Sequence, residues 1–188
     1  FTFSDSDLAY LKTTGFFTDS FLDYLRAFQF SGTVRAMPEG TVFFKDEPVL
    51  EISAPLIQAQ LLETLLLNTI GFQTLIATKA ARCLHAAAGR GLIDFSARRT
   101  QGGDASLKVA RSSYLAGFSG TSNVLAGKLY GIPISGTMAH SFVTAFDTEI
   151  EAFRAFAHTY PENSVLLIDT YDTIQGAENA VKIAGEMA

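Results

Sequence analysis

The spacing of apolar residues changes along the chain, and each change predicts a different kind of element. In residues 4–28, apolar side chains recur at helical spacing after the capping residue Ser4, which predicts short helices. Three β-rich runs separated by turns that contain Pro38 and Pro48 predict strands, at residues 30–35, 41–44 and 49–52. We therefore expect the chain to begin with a small, mainly antiparallel unit.

The next segment has a helical pattern with few charges. Residues 56–68 and 72–88 predict two long helices with Gly71 between them, and Gly89 and Gly91 form the stop signal. The longest uncharged run, residues 64–78, has only fifteen residues and includes Asn68 and Gln73. Such a run is too short and too polar to span a bilayer, so we expect no membrane partner.

After Gly91 short apolar runs alternate with helical patterns. The predicted strands are 92–96, 117–119, 132–135 and 165–169, and the predicted helices are 104–116, 121–130, 146–157 and 174–187. This order predicts a parallel sheet covered by helices. No Gly-x-Gly-x-x-Gly loop follows the first strand, which disfavours a dinucleotide-binding sheet. The fold class is therefore α/β, with about half of a βα barrel at 91–188, preceded by a helical connection at 54–90 and part of an α/β domain at 1–53.

Composition narrows the class of protein. The chain has 188 residues, 48% hydrophobic and 18% charged, as in a globular protein. Its net charge is −5 and no basic run exceeds Arg98-Arg99, so we expect no nucleic-acid partner. The single Cys83 cannot form an internal disulfide, which favours a reducing, cytoplasmic location. Because the chain starts at Phe1 and stops within a helical pattern, we expect it to be an internal piece of a longer protein.

Polar side chains follow all four predicted barrel strands. In a βα barrel the active site lies at the carboxyl ends of the strands, so these residues should converge. They are Asp94, Phe95, Arg98 and Arg99 after the first strand, residues 119–123 after the second, Thr137, His140 and Ser141 after the third, and residues 169–173 after the fourth.

Each candidate has two interpretations. His140 is a base, nucleophile or phosphoryl acceptor, or an ordinary loop residue. Phe95 stacks on a flat ring or belongs to the core. Residues 120–123 bind an anion through backbone N–H groups or cap a helix. Asp169 binds sugar hydroxyls or a hydrated metal, or caps the next helix.

Several motifs together resemble the nicotinate phosphoribosyltransferase family over essentially the whole chain. They are residues 38–42, 63–64, 72–79, 120–124, 136–141 and 169–173. The resemblance implies the irregular βα barrel of the type II phosphoribosyltransferases, present in part. It also implies transfer of a phosphoribosyl group from phosphoribosyl pyrophosphate to nicotinate in NAD salvage, coupled to ATP hydrolysis, with Mg²⁺ accompanying the pyrophosphate.

The resemblance also implies roles for individual residues. His140 becomes the phosphohistidine and Asp169 lies near the ribose, so these two are the catalytic candidates. Thr137 contacts nicotinate, and Phe95 and Arg98 lie against the ring and the phosphate. The family forms homodimers with shared active sites, and parts of the site lie outside these 188 residues. We therefore expect the chain alone to be inactive.

Two positions distinguish the chain within this resemblance. The related nicotinamide enzymes have Asp where Ser122 stands here, and an Asp would repel the carboxylate of nicotinate. Ser122 therefore favours nicotinate over nicotinamide, while the His140 motif argues against a quinolinate-type transferase. The family usually has Gly where Ser96 stands, which requires backbone angles that permit a side chain. A nicotinamide-type enzyme and a non-catalytic scaffold relative remain the alternatives.

Overall fold

The computed structural model describes residues 2–187, which form two compact units divided between Leu75 and Ile76. The elements of the first unit are α1 (Asp5–Thr13), α2 (Asp19–Arg26), β1 (Thr33–Ala36), β2 (Leu50–Ser53) and the start of α3 (Leu56–Ala87). The second unit holds the end of α3 and then β3 (Ile93–Asp94), a 3-10 turn (Ala97–Arg99), α4 (Gly103–Leu115), β4 (Gly120–Thr121), α5 (Val124–Tyr130), α6 (His140–Val143), α7 (Glu149–Thr159) and α8 (Thr173–Met187).

The predicted N-terminal helices are confirmed as α1 and α2. Ser4 caps α1 in a capping box, because its hydroxyl accepts from the Asp7 backbone N–H while the Asp7 carboxylate accepts from the Ser4 N–H. A small core of Leu8, Leu22 and Leu25 lies between the two helices. Each helix therefore has both a local start signal and an apolar face to bury.

Two of the three predicted N-terminal strands are present. β1 pairs with β2 in antiparallel register, with Thr33 opposite Ser53 and Ala36 opposite Leu50. The strand predicted at 41–44 is wrong. Two turns flank this segment, and the side chains of Val42 and Phe44 are exposed instead of facing a partner strand.

A single helix, α3, replaces the two helices predicted at 56–68 and 72–88. Gly71 lies inside it, and a glycine within a helix costs only about 1 kcal/mol, too little to break it. The predicted stop is confirmed, because Ala88 and Gly89 have φ of 50° and 85°. By length and composition α3 could cross a membrane, but one such helix in a chain is only weak evidence for a membrane span. The expected absence of a membrane partner stays a prediction.

Parallel pairing of the second unit is confirmed, although its strands are shorter than predicted. β3 pairs with β4, placing Ile93 beside Gly120 and Asp94 beside Thr121. The segment predicted as a strand at 132–135 contributes only a parallel bridge from Ile134 to Thr121. Pro133 lies in this segment and has no backbone N–H to donate to a ladder.

The strand predicted at 117–119 is displaced to Gly120–Thr121. Gly117 has a φ of 114°, and the Phe118 N–H donates to the Ser113 carbonyl at 3.0 Å. This is the Schellman arrangement that ends α4. The glycine expected within a strand is therefore the cap of the preceding helix.

The main core of the second unit lies among α6, α7 and α8. Its buried members are Met138, Val143, Ala152, Phe153, Ala157 and Ile183. Leu166, Leu167 and Ile168 pack against it, although the strand predicted at 165–169 is wrong because this segment has no ladder among residues 2–187. Apolar packing, not sheet pairing, holds the segment that leads to Asp169.

Helix α8 approaches this segment closely at Gly176. A Cβ at Gly176 would lie 2.1 Å from the Ile168 carbonyl oxygen, whereas one at Gly185, in the same helix, would meet nothing within 4 Å. We expect Gly176→Ala to lower the free energy of unfolding by about 1–3 kcal/mol through overpacking. Gly185→Ala, the matched control, should raise it by about 0.5–1 kcal/mol. Urea unfolding of both variants tests this, and equal effects would contradict it.

Helices α7 and α8 are also joined by an ion pair. Arg154 Nε and Nη2 donate to the two Glu186 carboxylate oxygens at 2.8 and 3.0 Å. These hydrogen bonds lower the pKa of Glu186 below its usual 4.5, although partial desolvation opposes them. The pair is exposed, so its contribution is small.

The lowered pKa of Glu186 predicts a pH dependence of stability. The stabilisation should be present above pH 4.5 and be lost as the pH falls through the lower, folded-state pKa. Glu186→Gln should therefore lower the melting temperature at pH 7, and this difference should vanish as the pH falls below 4.5. Glu162→Gln, at an exposed position in the same unit, is the control. If the melting-temperature difference caused by Glu186→Gln persisted unchanged in acid, the stabilisation would not come from the lowered pKa of Glu186.

Candidate active site

The ends of β3 and β4 are joined by a buried side-chain hydrogen bond. Asp94 is 5% exposed and Thr121 is fully buried. The Thr121 hydroxyl donates to Asp94 Oδ2 at 2.9 Å, and the Ser122 N–H donates to the Asp94 carbonyl at 2.8 Å. The residues that follow these two, Phe95 and Ser122, therefore start from fixed positions.

Thr121 also connects this pair to the next segment. Its N–H donates to the Pro133 carbonyl, and its own carbonyl accepts from the Ser135 N–H, both at 3.0 Å. Gly120 permits this approach, because a Cβ there would lie 2.5 Å from the Pro133 oxygen. Three adjacent segments thus run parallel at the level of Thr121, and each carries candidate residues beyond it.

The three segments open onto one cavity of about 600 Å³, within the range of roughly 300–1,000 Å³ typical of small-molecule sites. Phe95, Ser122 and Thr137, predicted from three different strand ends, all line it. The complete lining is Phe95, Ser122, Val124, Ile134, Ser135, Gly136, Thr137, Asn163 and Val165. Phe95 is 47% exposed, so it presents ring surface and is not a core residue.

Ser96 fits where the resemblance led us to expect glycine. Its φ of −87° is negative, so the backbone at this position does not require glycine. Its backbone N–H and hydroxyl both donate to Asp94 Oδ1, at 3.0 and 2.5 Å. The departure from glycine therefore adds a hydrogen bond instead of straining the turn.

Residues 120–123 act as a helix cap. The Asn123 side chain accepts from the Ala126 N–H at 3.1 Å and begins α5. The N–H groups of Thr121, Ser122 and Asn123 donate to Pro133, Asp94 and Thr121, respectively. Three of the N–H groups considered for an anion therefore already have acceptors within the protein, which favours the helix-cap interpretation.

His140 lies at the first residue of α6 and is exposed. Its Nδ1 is 3.2 Å from Thr170 Oγ1, across 30 residues of sequence. Met138 and Val143 are buried on either side of it, so the backbone around His140 is anchored while the ring faces solvent. An accessible imidazole with one nitrogen held by a hydroxyl can react through the other nitrogen.

Asp169 and Arg98 lie outside the cavity lining. The helix cap expected as an alternative for Asp169 is provided by Asp172, whose Oδ1 accepts from the Gln175 N–H at 2.8 Å. Asp169 is exposed and next to Thr170, which places it beside the His140 contact in sequence. Arg98 is exposed on the 3-10 turn and has no salt bridge among residues 2–187. Their roles stay predictions.

Asn163 and Val165 are cavity residues that sequence reasoning missed. Asn163 precedes the predicted strand 165–169 and Val165 stands at its start, whereas the predicted site residues follow the carboxyl ends of strands. Their positions depend on how residues 160–165 return after α7. A turn there brings the Asn163 N–H to the Tyr160 carbonyl, and Pro161 and Asn163 are typical turn residues.

The described residues contain no group of three or more His, Cys, Asp or Glu side chains that could hold a metal ion. Of the carboxylates near the candidate residues, Asp94 already accepts from hydroxyl and N–H donors. Mg²⁺ as a companion of substrate phosphate groups stays a prediction.

Sequence comparisons match both ends of the chain to one family. Residues 1–71 match the nicotinate phosphoribosyltransferase N-terminal domain, and residues 91–184 match the nicotinate phosphoribosyltransferase family. The chain is 54% identical over 184 residues to nicotinate phosphoribosyltransferase pncB2 of Mycobacterium tuberculosis (98% of this chain, 40% of the relative). It is 45% identical over 187 residues to the nicotinate phosphoribosyltransferase of Bacillus subtilis (99% and 38%).

Solved structures give the same picture. Human nicotinic acid phosphoribosyltransferase superposes with a TM-score of 0.83 at 32% identity, covering 99% of this chain and 48% of that one. Nicotinate-nucleotide pyrophosphorylase from Pyrococcus furiosus superposes with a TM-score of 0.77 at 30% identity, covering 84% and 41%.

The fold is therefore a partial type II phosphoribosyltransferase fold, as predicted. Within this class, the chain belongs to the nicotinate phosphoribosyltransferase family. It spans about 40% of the length of these curated relatives.

Proposed function

We propose that the complete natural protein is a nicotinate phosphoribosyltransferase, which forms nicotinate mononucleotide and pyrophosphate in NAD salvage. One observation carries this proposal: Phe95, Ser122 and Thr137 line a single cavity of small-molecule size. An aromatic face with hydroxyl groups suits a flat ring that bears a polar substituent. The names of the 54% and 45% identical relatives support the same activity.

In the proposed reaction, the pyridine nitrogen bonds to the anomeric carbon as the bond to pyrophosphate breaks. Phe95 lies against the ring, Thr137 contacts nicotinate, and Arg98 meets a phosphate. Asp169 lies near the ribose. We expect a dissociative reaction, so catalysis comes from positioning and from stabilisation of developing charge, without a protein nucleophile at the sugar.

His140 is the proposed phosphoryl acceptor from ATP. Its ring is exposed and held by Thr170, so the nitrogen that does not contact the hydroxyl is oriented for transfer. The terminal phosphoryl group leaves ADP and forms a P–N bond, and hydrolysis later returns phosphate. Mg²⁺ accompanies the phosphate groups of the substrates. A homodimer with shared active sites and a cytoplasmic location belong to the same proposal.

The first test measures mononucleotide formation by the complete natural protein, with and without ATP. We expect nicotinate turnover that ATP stimulates, and we expect His140→Ala to abolish the stimulation. His158→Ala is the matched control, because His158 is an exposed histidine of α7 outside the cavity lining. Absence of turnover with nicotinate and with nicotinamide would instead favour a scaffold protein.

The second test concerns Ser122 and the choice between acid and amide. Ser122→Asp should lower kcat/KM for nicotinate about tenfold or more and raise it for nicotinamide, because the new carboxylate would lie beside the carboxylate of nicotinate. Ser122→Asn is the matched control, with the size of Asp but no charge. Equal losses in both variants would show that size, not charge, decides. Preference of the unmodified protein for nicotinamide would overturn the argument from Ser122.

A further inference from the structure

The Asp94 carboxylate is a buried polar group that directly precedes the cavity residue Phe95, although it does not line the cavity itself. It is 5% exposed and accepts three hydrogen bonds, from the Ser96 N–H, the Ser96 hydroxyl and the Thr121 hydroxyl. No salt bridge to it is found among residues 2–187. A buried carboxylate that lacks a cation depends on all of its donors, so its position is narrowly determined.

We propose that the hydrogen bond from Thr121 to Asp94 sets the shape of the nicotinate subsite, an inference that rests on the function proposed above. Thr121 and Asp94 are then positioning residues. Neither touches the substrate, and each acts through the next residue along the chain. Asp94 places Phe95, and Thr121 places Ser122, so one bond fixes the aromatic face relative to the residue that faces the carboxylate of nicotinate.

The hydroxyl of Thr121 has two partners that valine could not satisfy. It donates to Asp94 Oδ2 at 2.9 Å and accepts from the Asn123 N–H at 3.0 Å. Removing it would leave a buried acceptor and the first N–H of the α5 cap without their partner. The same residue holds the Pro133–Ser135 segment through its backbone, which a side-chain substitution leaves unchanged.

A matched pair of substitutions separates hydrogen bonding from packing. Thr121→Val keeps the shape of the side chain and loses the hydroxyl, whereas Thr121→Ser keeps the hydroxyl and loses a methyl group. Thr159→Val removes a hydroxyl that donates to the Ala155 carbonyl on the exposed side of α7, and it serves as a remote control. All variants are made in the complete natural protein, at a temperature well below their melting points.

We expect Thr121→Val to raise KM for nicotinate about tenfold, the effect of one lost buried hydrogen bond of roughly 1.4 kcal/mol. KM for phosphoribosyl pyrophosphate and kcat should change less than twofold, because the substitution weakens nicotinate binding equally in the ground state and the transition state. Thr121→Ser should have a KM for nicotinate close to that of the unmodified protein. A residue with a purely structural role would lower the active fraction, and thus the apparent kcat, without this selective change.

Direct titration of nicotinate by calorimetry makes the two proposals separable. If nicotinate is turned over and Thr121→Val has the same KM for nicotinate as Thr121→Ser, the positioning inference is wrong and the proposed function stands. If nicotinate binds without turnover and Thr121→Val alone weakens it about tenfold, the proposed function is wrong and the positioning inference stands. If the unmodified protein neither binds nor converts nicotinate, both are overturned.

Discussion

The apolar core around Phe153 brings together two side chains that lie 30 residues apart in sequence, His140 and Thr170. Met138 and Val143 enter the core on either side of His140, and Leu166–Ile168 pack on it just before Asp169. A fully buried aromatic or aliphatic side chain contributes about 1.5–3 kcal/mol, and this core holds several. The 3.2 Å contact between imidazole and hydroxyl therefore results from packing and needs little energy of its own.

The cavity depends on a different kind of interaction. Apolar burial has no preferred direction, whereas a hydrogen bond restricts both distance and angle. Around Thr121, side-chain and backbone bonds hold three short segments at once, and none of the segments forms a long strand. The polar network thus supplies the alignment that a longer sheet ladder would otherwise provide.

Local signals predicted several helix ends, because caps such as Ser4 and stop signals such as Gly89 act within a few residues. They wrongly divided α3 at Gly71 and did not predict α6. Strands were predicted less well, since pairing depends on distant partners. Residues 117–119 have the composition of a strand, yet Gly117 and Phe118 end α4 because the Phe118 N–H donates to the Ser113 carbonyl. Phe95, Ser122 and Thr137 were nevertheless brought together as expected. Each of these residues follows an apolar run, so their convergence could be predicted even though the strand bounds were wrong by a few residues. Asn163 precedes its apolar segment, so the same reasoning did not identify it.

Ser96 shows how hydrogen bonds from neutral donors can satisfy a buried carboxylate without a cation. Asp94 could have been compensated by a nearby cation, and Arg98 is only four residues away in sequence. A guanidinium used in that way would be partly buried and committed to Asp94. The Ser96 and Thr121 donors satisfy the carboxylate instead, so Arg98 stays exposed on its turn. A serine at this position therefore fits the backbone and helps to satisfy Asp94 without Arg98.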